Sequence, residues 1–304
     1  LVGSEMCIRD SILKNKSSQI DLSVYIKSFL LLMKPRVMSL VLFTAMVGLL
    51  VAPVTVSFTT ASLSLLAVAI GSGAAGALNM WYESDVDALM SRTCLRPIPT
   101  GKIKREQALL FGIILSFISI VMLYLSSNLI SALLLAATIS FYFFIYTIWL
   151  KRKTAQNIVI GGAAGALPPV IGWAVAMNNI SLEPIVMFLI IFIWTPSHFW
   201  ALSLYKFKDY EKAKIPMLPI TAGIEKTKLN ILVYAFLMLP VVIAPFFIGF
   251  GSVIYLVLSL GMTTYYIRLC YLLFKTKAVS KSNLIARKVF VYSIFYLFFL
   301  FLLI

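Results

Sequence analysis

The chain is 304 residues long and 61% hydrophobic, with a mean hydropathy of +0.99. A soluble domain of this length would not reach that value, and the apolar runs are long enough to cross a bilayer, so the sequence predicts an all-α polytopic membrane helical bundle. The formal net charge of +15 would suit a nucleic-acid partner, but the charge is spread over five segments that alternate with apolar runs. That is the pattern of membrane topology, and it argues for no nucleic acid.

Residues 1–32 read as an N-terminal cytoplasmic segment, of which 1–11 (LVGSEMCIRDS) has neither periodicity nor a signal-peptide layout and reads as non-native. From 33 to 304 the chain reads as a single transmembrane domain. Nine spans are predicted, at 37–54, 58–80, 107–125, 130–149, 157–177, 184–204, 229–249, 252–270 and 288–304. All 26 Lys and Arg residues fall on one side of these spans, as do ten of the eleven acidic residues; Glu183 is the exception. Cytoplasmic loops hold the Lys/Arg excess, which places the N-terminus and the charged loops inside and the C-terminus outside. Part of the basic charge is then available to anionic lipid or to a substrate phosphate. Cys7, Cys94 and Cys270 are all assigned to the cytoplasmic side, without metal-site spacing, and are expected to be free thiols.

The second span ends in a run of small residues, GSGAAGALN at 71–79. Such residues let helices approach closely, and they also leave room for a long apolar substrate. Directly after it, Asn79, Glu83 and Asp87 stand at i, i+4 and i+8, one stripe of a continuing helix, with Asp85 on another face. Oxygen donors at the cytoplasmic end of a membrane helix suit a hard cation. Mg²⁺ takes one or two carboxylates, keeps waters and accepts its other oxygens from a phosphate. Arg92 and Arg96, one turn apart, can fork onto that phosphate. The bland alternative is a charged helix end with internal ion pairs.

The loop after span four carries Lys151, Arg152 and Lys153, ordinary as an interfacial anchor. It leads into Asn157 and a Gly-rich stretch ending in Pro168 and Pro169, which predicts a kinked span. Span six holds the only histidine, His198, within two turns of the cytoplasmic end and flanked by Trp194 and Trp200. A lone histidine is ordinarily a satisfied core residue, but an ionisable group within a span is a functional candidate. The long loops after spans two and six each carry acidic residues early and basic, Pro and Gly residues late, which suggests a weak internal repeat.

Five blocks occur in order: MKPRVMSL at 33–40, NxxxExDxD…MxRTxxRP from Asn79, LKRxTxxNIVIGGxAGAxPPxIGW from Leu150, HFWAL from His198 and KDYxxAxIPMLP from Lys208. Together they resemble the haem O synthase (protohaem IX farnesyltransferase) branch of the UbiA-type membrane prenyltransferases, over about 33–300. The acidic block resembles the whole superfamily; the last two blocks resemble the haem branch. The sequence departs from the superfamily's pattern at Tyr205, where a second acidic residue usually stands four before Asp209.

The resemblance implies a UbiA-type fold and transfer of farnesyl from farnesyl diphosphate to a vinyl group of haem B, with water addition, in a prokaryotic cell membrane. Partners are then membrane lipid and, downstream, haem A synthase or terminal-oxidase assembly. It assigns catalytic roles to Asn79, Glu83, Asp87, His198 and Asp209. Asn79, Glu83 and Asp87 would hold Mg²⁺ through the diphosphate, with Asp85 and Asp209 as further candidates. Arg92, Arg96, Lys151 and Arg152 would bind diphosphate. Arg36, Trp81, Tyr82, Trp200 and Tyr210 are candidates for contacting the acceptor or an allylic cation, since a cation over a ring gains roughly 0.5–2 kcal/mol. A UbiA-type enzyme with another acceptor, such as a quinone precursor, is the alternative within the class. A transporter or scaffold is the alternative outside it; transporters place charge at mid-membrane on broken helices, whereas here it gathers at one face.

Overall fold

The computed structural model describes residues 22–304, and no strand occurs among them. The expectations for 1–21, including Cys7, lie outside the described residues. Helix α1 is Leu22–Leu32 and α2 is Pro35–Val51. Then come α3 Phe58–Tyr82, the short α4 Ser84–Leu89, and α5 Arg105–Ser126. Helix α6, Leu129–Ser140, runs on into a π-helical segment, Phe141–Leu150. The next span is two helices, α7 Asn157–Ala166 and α8 Pro168–Met177. Helix α9 is Leu182–Tyr205, followed by the short α10 Phe207–Lys212 and α11 Leu218–Thr221. The bundle ends with α12 Ile224–Ile248, α13 Val253–Lys275 and α14 Val279–Leu303. Eight spans among the described residues are long and apolar enough to cross a membrane, or nine if α1 and α2, bent by 49°, form one.

Local chemistry explains the breaks. Pro35 opens α2, where a missing N–H costs nothing, and Lys34 is left outside the helix with φ 54°. Pro168 and Pro169 interrupt the fifth span at Leu167, as expected from the sequence. Gly48 and Gly172 let α2 and α8 touch backbone to backbone. A Cβ on Gly48 would collide with the Pro169 carbonyl, and one on Gly172 with the Ala45 carbonyl.

Helix α3 packs on α5, α2 on α8, and α9 lies centrally against α7, α12 and α14. Leu110, Ile113, Phe117, Val253, Ile254 and Val257 face outward. Such a surface is a liability in water and a match for lipid.

Helix α1 lies in the segment read as N-terminal and cytoplasmic; its Phe29 ring meets Phe111 of α5 and its Tyr25 hydroxyl accepts from Gln107. The last span starts at Val279, not Lys288, because Lys281, Arg287 and Lys288 are good helix formers at the water-facing end and do not terminate it. Among the described residues Cys270 is free and buried, as expected.

Candidate diphosphate and histidine sites

Helix α3 ends at Tyr82 and α4 begins at Ser84, so the acidic stripe does not lie on one unbroken helix. The register survives the break: Glu83 N–H donates to the Asn79 carbonyl and Asp87 N–H to that of Glu83, both i to i−4. Asn79, Glu83 and Asp87 are therefore turned inward, at 2%, 2% and 3% exposure, while the Asp85 side chain is 58% exposed.

Each carboxylate is met by a base from another segment. Lys151 Nζ donates to Glu83 Oε2 at 2.5 Å. Arg96 Nη1 reaches both Asp87 oxygens at 2.8 Å. Arg152 forks onto Asp85 at 2.7 and 2.9 Å, and its guanidinium lies 5.0 Å above the Tyr82 ring. Thus Arg96, Lys151 and Arg152, predicted to face a phosphate, rest on the carboxylates. Burial by itself would lower the Lys151 pKa, but the Glu83 carboxylate overrides it and holds the ammonium above its ordinary value. Burial likewise works to raise Asp85, and the Arg152 fork overrides it, leaving that carboxyl below its usual range. Glu83 Oε1 is buried with no hydrogen-bond partner, an acceptor that a bound cation would satisfy. No three of the described His, Cys, Asp and Glu side chains are grouped tightly enough to hold a metal alone.

The sequence reading missed Lys34. Its Nζ donates to Asn79 Oδ1 at 2.6 Å, and Asn79 Nδ2 donates to Thr147 Oγ1 at 3.1 Å. A signal was available in Lys-Pro, which puts the lysine at the mouth of a helix. Lys34 also lines a mostly apolar cavity of about 130 Å³ with Gly71, Ala75, Gly76, Gly165 and Pro168. The small-residue run in α3 therefore opens a space beside the carboxylates. A Cβ on Gly165 would meet nothing within 4 Å.

The two long loops close over this region. Ser91 Oγ donates to Asp209 Oδ2 at 2.7 Å, and Tyr210 packs with Val86, Met90 and Ile158. Each loop begins with a six-residue helix one residue beyond its span. Of the other nominated residues, Arg92 and Arg36 are exposed. Of the nominated rings, Trp200 is buried edge-on to Tyr234 of α12, and Trp81 is half-buried, packed beside Met80 and Ile103 against the α5 side. Trp and Tyr residues near a motif look alike in sequence, and only packing separates them.

His198 forms a second centre. Its ring is stacked between Trp194, at 4.2 Å, and Phe290 of α14, at 4.5 Å. Ser293 Oγ lies 2.7 Å from the Phe290 carbonyl and 2.6 Å from His198 Nδ1; with its proton on the carbonyl it accepts from Nδ1–H. That tautomer leaves a lone pair on Nε2. The Phe199 ring stands edge-on to the imidazole at 5.1 Å, and the residue is 7% exposed. Trp194 Nε1 is anchored on the Ser293 carbonyl at 2.8 Å. Phe290 and Ser293 sit at i and i+3 on a helix whose sequence carries no sign of that role.

A helical membrane bundle with a buried acidic stripe, a basic surround and an adjoining apolar cavity is the arrangement of a membrane enzyme for a diphosphate with a long apolar tail. The comparisons agree: the UbiA prenyltransferase family matches residues 41–300, and the chain belongs to that family. It is 62% identical over 293 residues to the protoheme IX farnesyltransferase of Pelagibacter ubique, covering 96% of each chain. It is 51% identical over 276 residues to the enzyme of that name from Rhodopseudomonas palustris, covering 91% of this chain and 88% of the relative. In fold it is similar to a digeranylgeranylglyceryl phosphate synthase (TM-score 0.76, 17% identity, 91% of this chain and 97% of the other). It is also similar to a UbiA homolog from Archaeoglobus fulgidus bound to GPP and Mg²⁺ (TM-score 0.68, 16% identity, 89% and 99%).

Proposed function

We propose that this integral membrane prenyltransferase joins the farnesyl group of farnesyl diphosphate to a vinyl side chain of protohaem IX, with addition of water, giving haem O and diphosphate. The observation that carries the reading is the matched pair of centres in one bundle. One is a charged cradle at the mouth of an apolar cavity; the other is a histidine clamped between aromatic rings with its Nδ1 held at Ser293. The 62% identity to a protoheme IX farnesyltransferase supports the acceptor. N-terminus, carboxylates and both long loops face the cytoplasm in this reading, following the one-sided Lys and Arg.

The residues fit a diphosphate-bound Mg²⁺. Glu83 Oε1 lacks a partner, and the remaining oxygens of Asp87 and Asn79 are held by groups that a phosphate can draw away. When bound, Mg²⁺ neutralises charge on the leaving diphosphate. Lys151, Arg96 and Lys34 then exchange carboxylate or amide partners for phosphate oxygens, with Arg92 and Arg152 at the rim. The farnesyl chain lies in the cavity lined by Gly71, Gly76 and Gly165. The allylic C–O bond breaks with its electron pair leaving on diphosphate. The vinyl π-electrons form the new C–C bond, and water adds to the resulting cation and loses a proton. Excluding bulk water until then falls to the loop seal of Tyr210, Val86 and Met90, held by the Ser91–Asp209 bond. Tyr82 presents its ring to the allylic cation once Arg152 has moved. His198 Nε2 offers haem iron an axial ligand. Haem O then passes to haem A synthase or terminal-oxidase assembly.

The test offers haem B and a hydroxybenzoate quinone precursor in turn to purified protein with farnesyl diphosphate and Mg²⁺. Prenylation of haem alone is expected. Prenylation of the benzoate alone would move the chain to another acceptor class.

A further inference from the structure

We infer that Thr147 is a positioning residue of the diphosphate site: its hydroxyl fixes the Asn79 carboxamide so that Oδ1, and not the NH₂, is turned to the cation side. The inference rests on the proposed Mg²⁺–diphosphate reading of that site.

Thr147 is fully buried in the π-helical segment. A threonine in an α-helix returns its hydroxyl proton to the carbonyl three or four residues back. Here Oγ1 donates five residues back, to the Tyr142 carbonyl at 2.9 Å, because the π-helix follows an i to i+5 register. The same register continues to Lys151, whose N–H donates to the Tyr146 carbonyl. The two helices thereby run in step. Thr147 meets Asn79 and, one turn on, Lys151 meets Glu83, each pair 68 residues apart in sequence.

A hydroxyl has one hydrogen. With that hydrogen on Tyr142, Oγ1 can only accept, so it selects the Nδ2 end of Asn79. The opposite end meets Lys34, whose Nζ as an ammonium donates to Oδ1 at 2.6 Å. A flipped amide would set donor against donor at Lys34 and acceptor against an unavailable proton at Thr147. The two restraints differ in permanence. Lys34 leaves when it moves onto a phosphate; Thr147 is locked by a backbone bond and stays. In the loaded site the hydroxyl is the remaining restraint that keeps an oxygen, rather than an amide hydrogen, toward the cation. Partners of this kind behind a metal ligand set its affinity.

The experiment titrates Mg²⁺ into full-length protein with a non-hydrolysable farnesyl thiodiphosphate and follows binding by calorimetry. Thr147→Val, which keeps shape and removes the hydroxyl, is expected to weaken the apparent Mg²⁺ affinity by roughly 10- to 100-fold. Thr147→Ser should restore it, and haem binding should not change in either variant. Thr147→Ala replaces the valine variant if that one does not fold. Wild-type Mg²⁺ dependence in the hydroxyl-free variant would overturn the inference while leaving the site reading intact. So would equal losses in the serine and valine variants, which would mark a packing role. Farnesyl thiodiphosphate binding to wild type that ignores Mg²⁺ would overturn both.

Discussion

Around Glu83 and Asp87 every carboxylate is neutralised by a base from a different segment, whereas His198 has no charged partner among the described residues and is held by three rings and one hydroxyl. The first arrangement is exchangeable. Lys151, Arg96 and Lys34 occupy positions that a cation would take, and a diphosphate offers them equivalent oxygens. The second is fixed, because nothing about the imidazole needs to move for its Nε2 to be used. A site that must accept and release a multiply charged leaving group benefits from counter-charges that can change partners. A site for a large, flat acceptor benefits from a ligand already aimed.

Variants can break this contrast. The largest effect is expected from Asp87→Ala, which removes a buried inward carboxylate and strands the Arg96 fork. Turnover should fall by at least ~10²-fold, measured as haem O formed per unit time by mass spectrometry, while helical content by circular dichroism is unchanged. Lys151→Met comes next. It leaves Glu83 buried with an unpaired charge, which costs about 3–5 kcal/mol for fully buried pairs and less here because Lys151 is one-fifth exposed. The melting temperature in detergent should drop, and the double variant Glu83→Gln/Lys151→Met should recover it without recovering activity. Recovery of both would mean that the pair is structural.

A smaller, selective effect is expected at the cavity. Gly165→Leu fills space without a backbone clash, so farnesyl diphosphate should bind several-fold more weakly while dimethylallyl diphosphate is little affected. Equal affinity for farnesyl diphosphate in wild type and variant would place the chain elsewhere. The smallest effect belongs to the exposed pair. Arg152→Ala or Asp85→Ala should change stability by no more than about 1 kcal/mol, the range of surface ion pairs. The sign of the pH response follows from the shifts. Asp85 is held below its usual range, so its contribution persists above that range and is lost only as pH falls through the lowered value. Lys151 is held above its ordinary value, so its contribution is complete below that value and is lost as pH rises through the raised one. From about pH 5 to 9, thermal stability should show no step from Asp85 or Lys151.

Much of this was legible in the sequence, for physical reasons. Span positions follow from hydropathy. The inward set of Asn79, Glu83 and Asp87 follows from 3.6-residue periodicity, and it survived a helix break because the i to i−4 bonds run through it. The interruption at Pro168 was equally plain. What escaped depends on contacts between distant segments. The partners of Asn79, in the π-helical segment and just before α2, and the Ser293–Phe290 clamp on α14 are long-range in sequence, and a serine in an apolar helix gives no local sign of its role. The π-helix was invisible because FYFFIYTIWL at 141–150 is as apolar as any α-helical span. The packing of Trp81 and Trp200 was not legible, since nearness to a motif in sequence does not say which way a ring points.

The division between the two centres is tested most directly by a crossed binding measurement on wild type, Asp87→Ala and His198→Ala, using the haem Soret band and calorimetry with farnesyl thiodiphosphate and Mg²⁺. The account predicts that Asp87→Ala keeps the wild-type haem spectrum and loses the thiodiphosphate. It predicts that His198→Ala binds the thiodiphosphate as wild type does and loses the Soret shift. A His198→Ala protein with a wild-type haem spectrum, or an Asp87→Ala protein that still binds the thiodiphosphate in a Mg²⁺-dependent way, would contradict it.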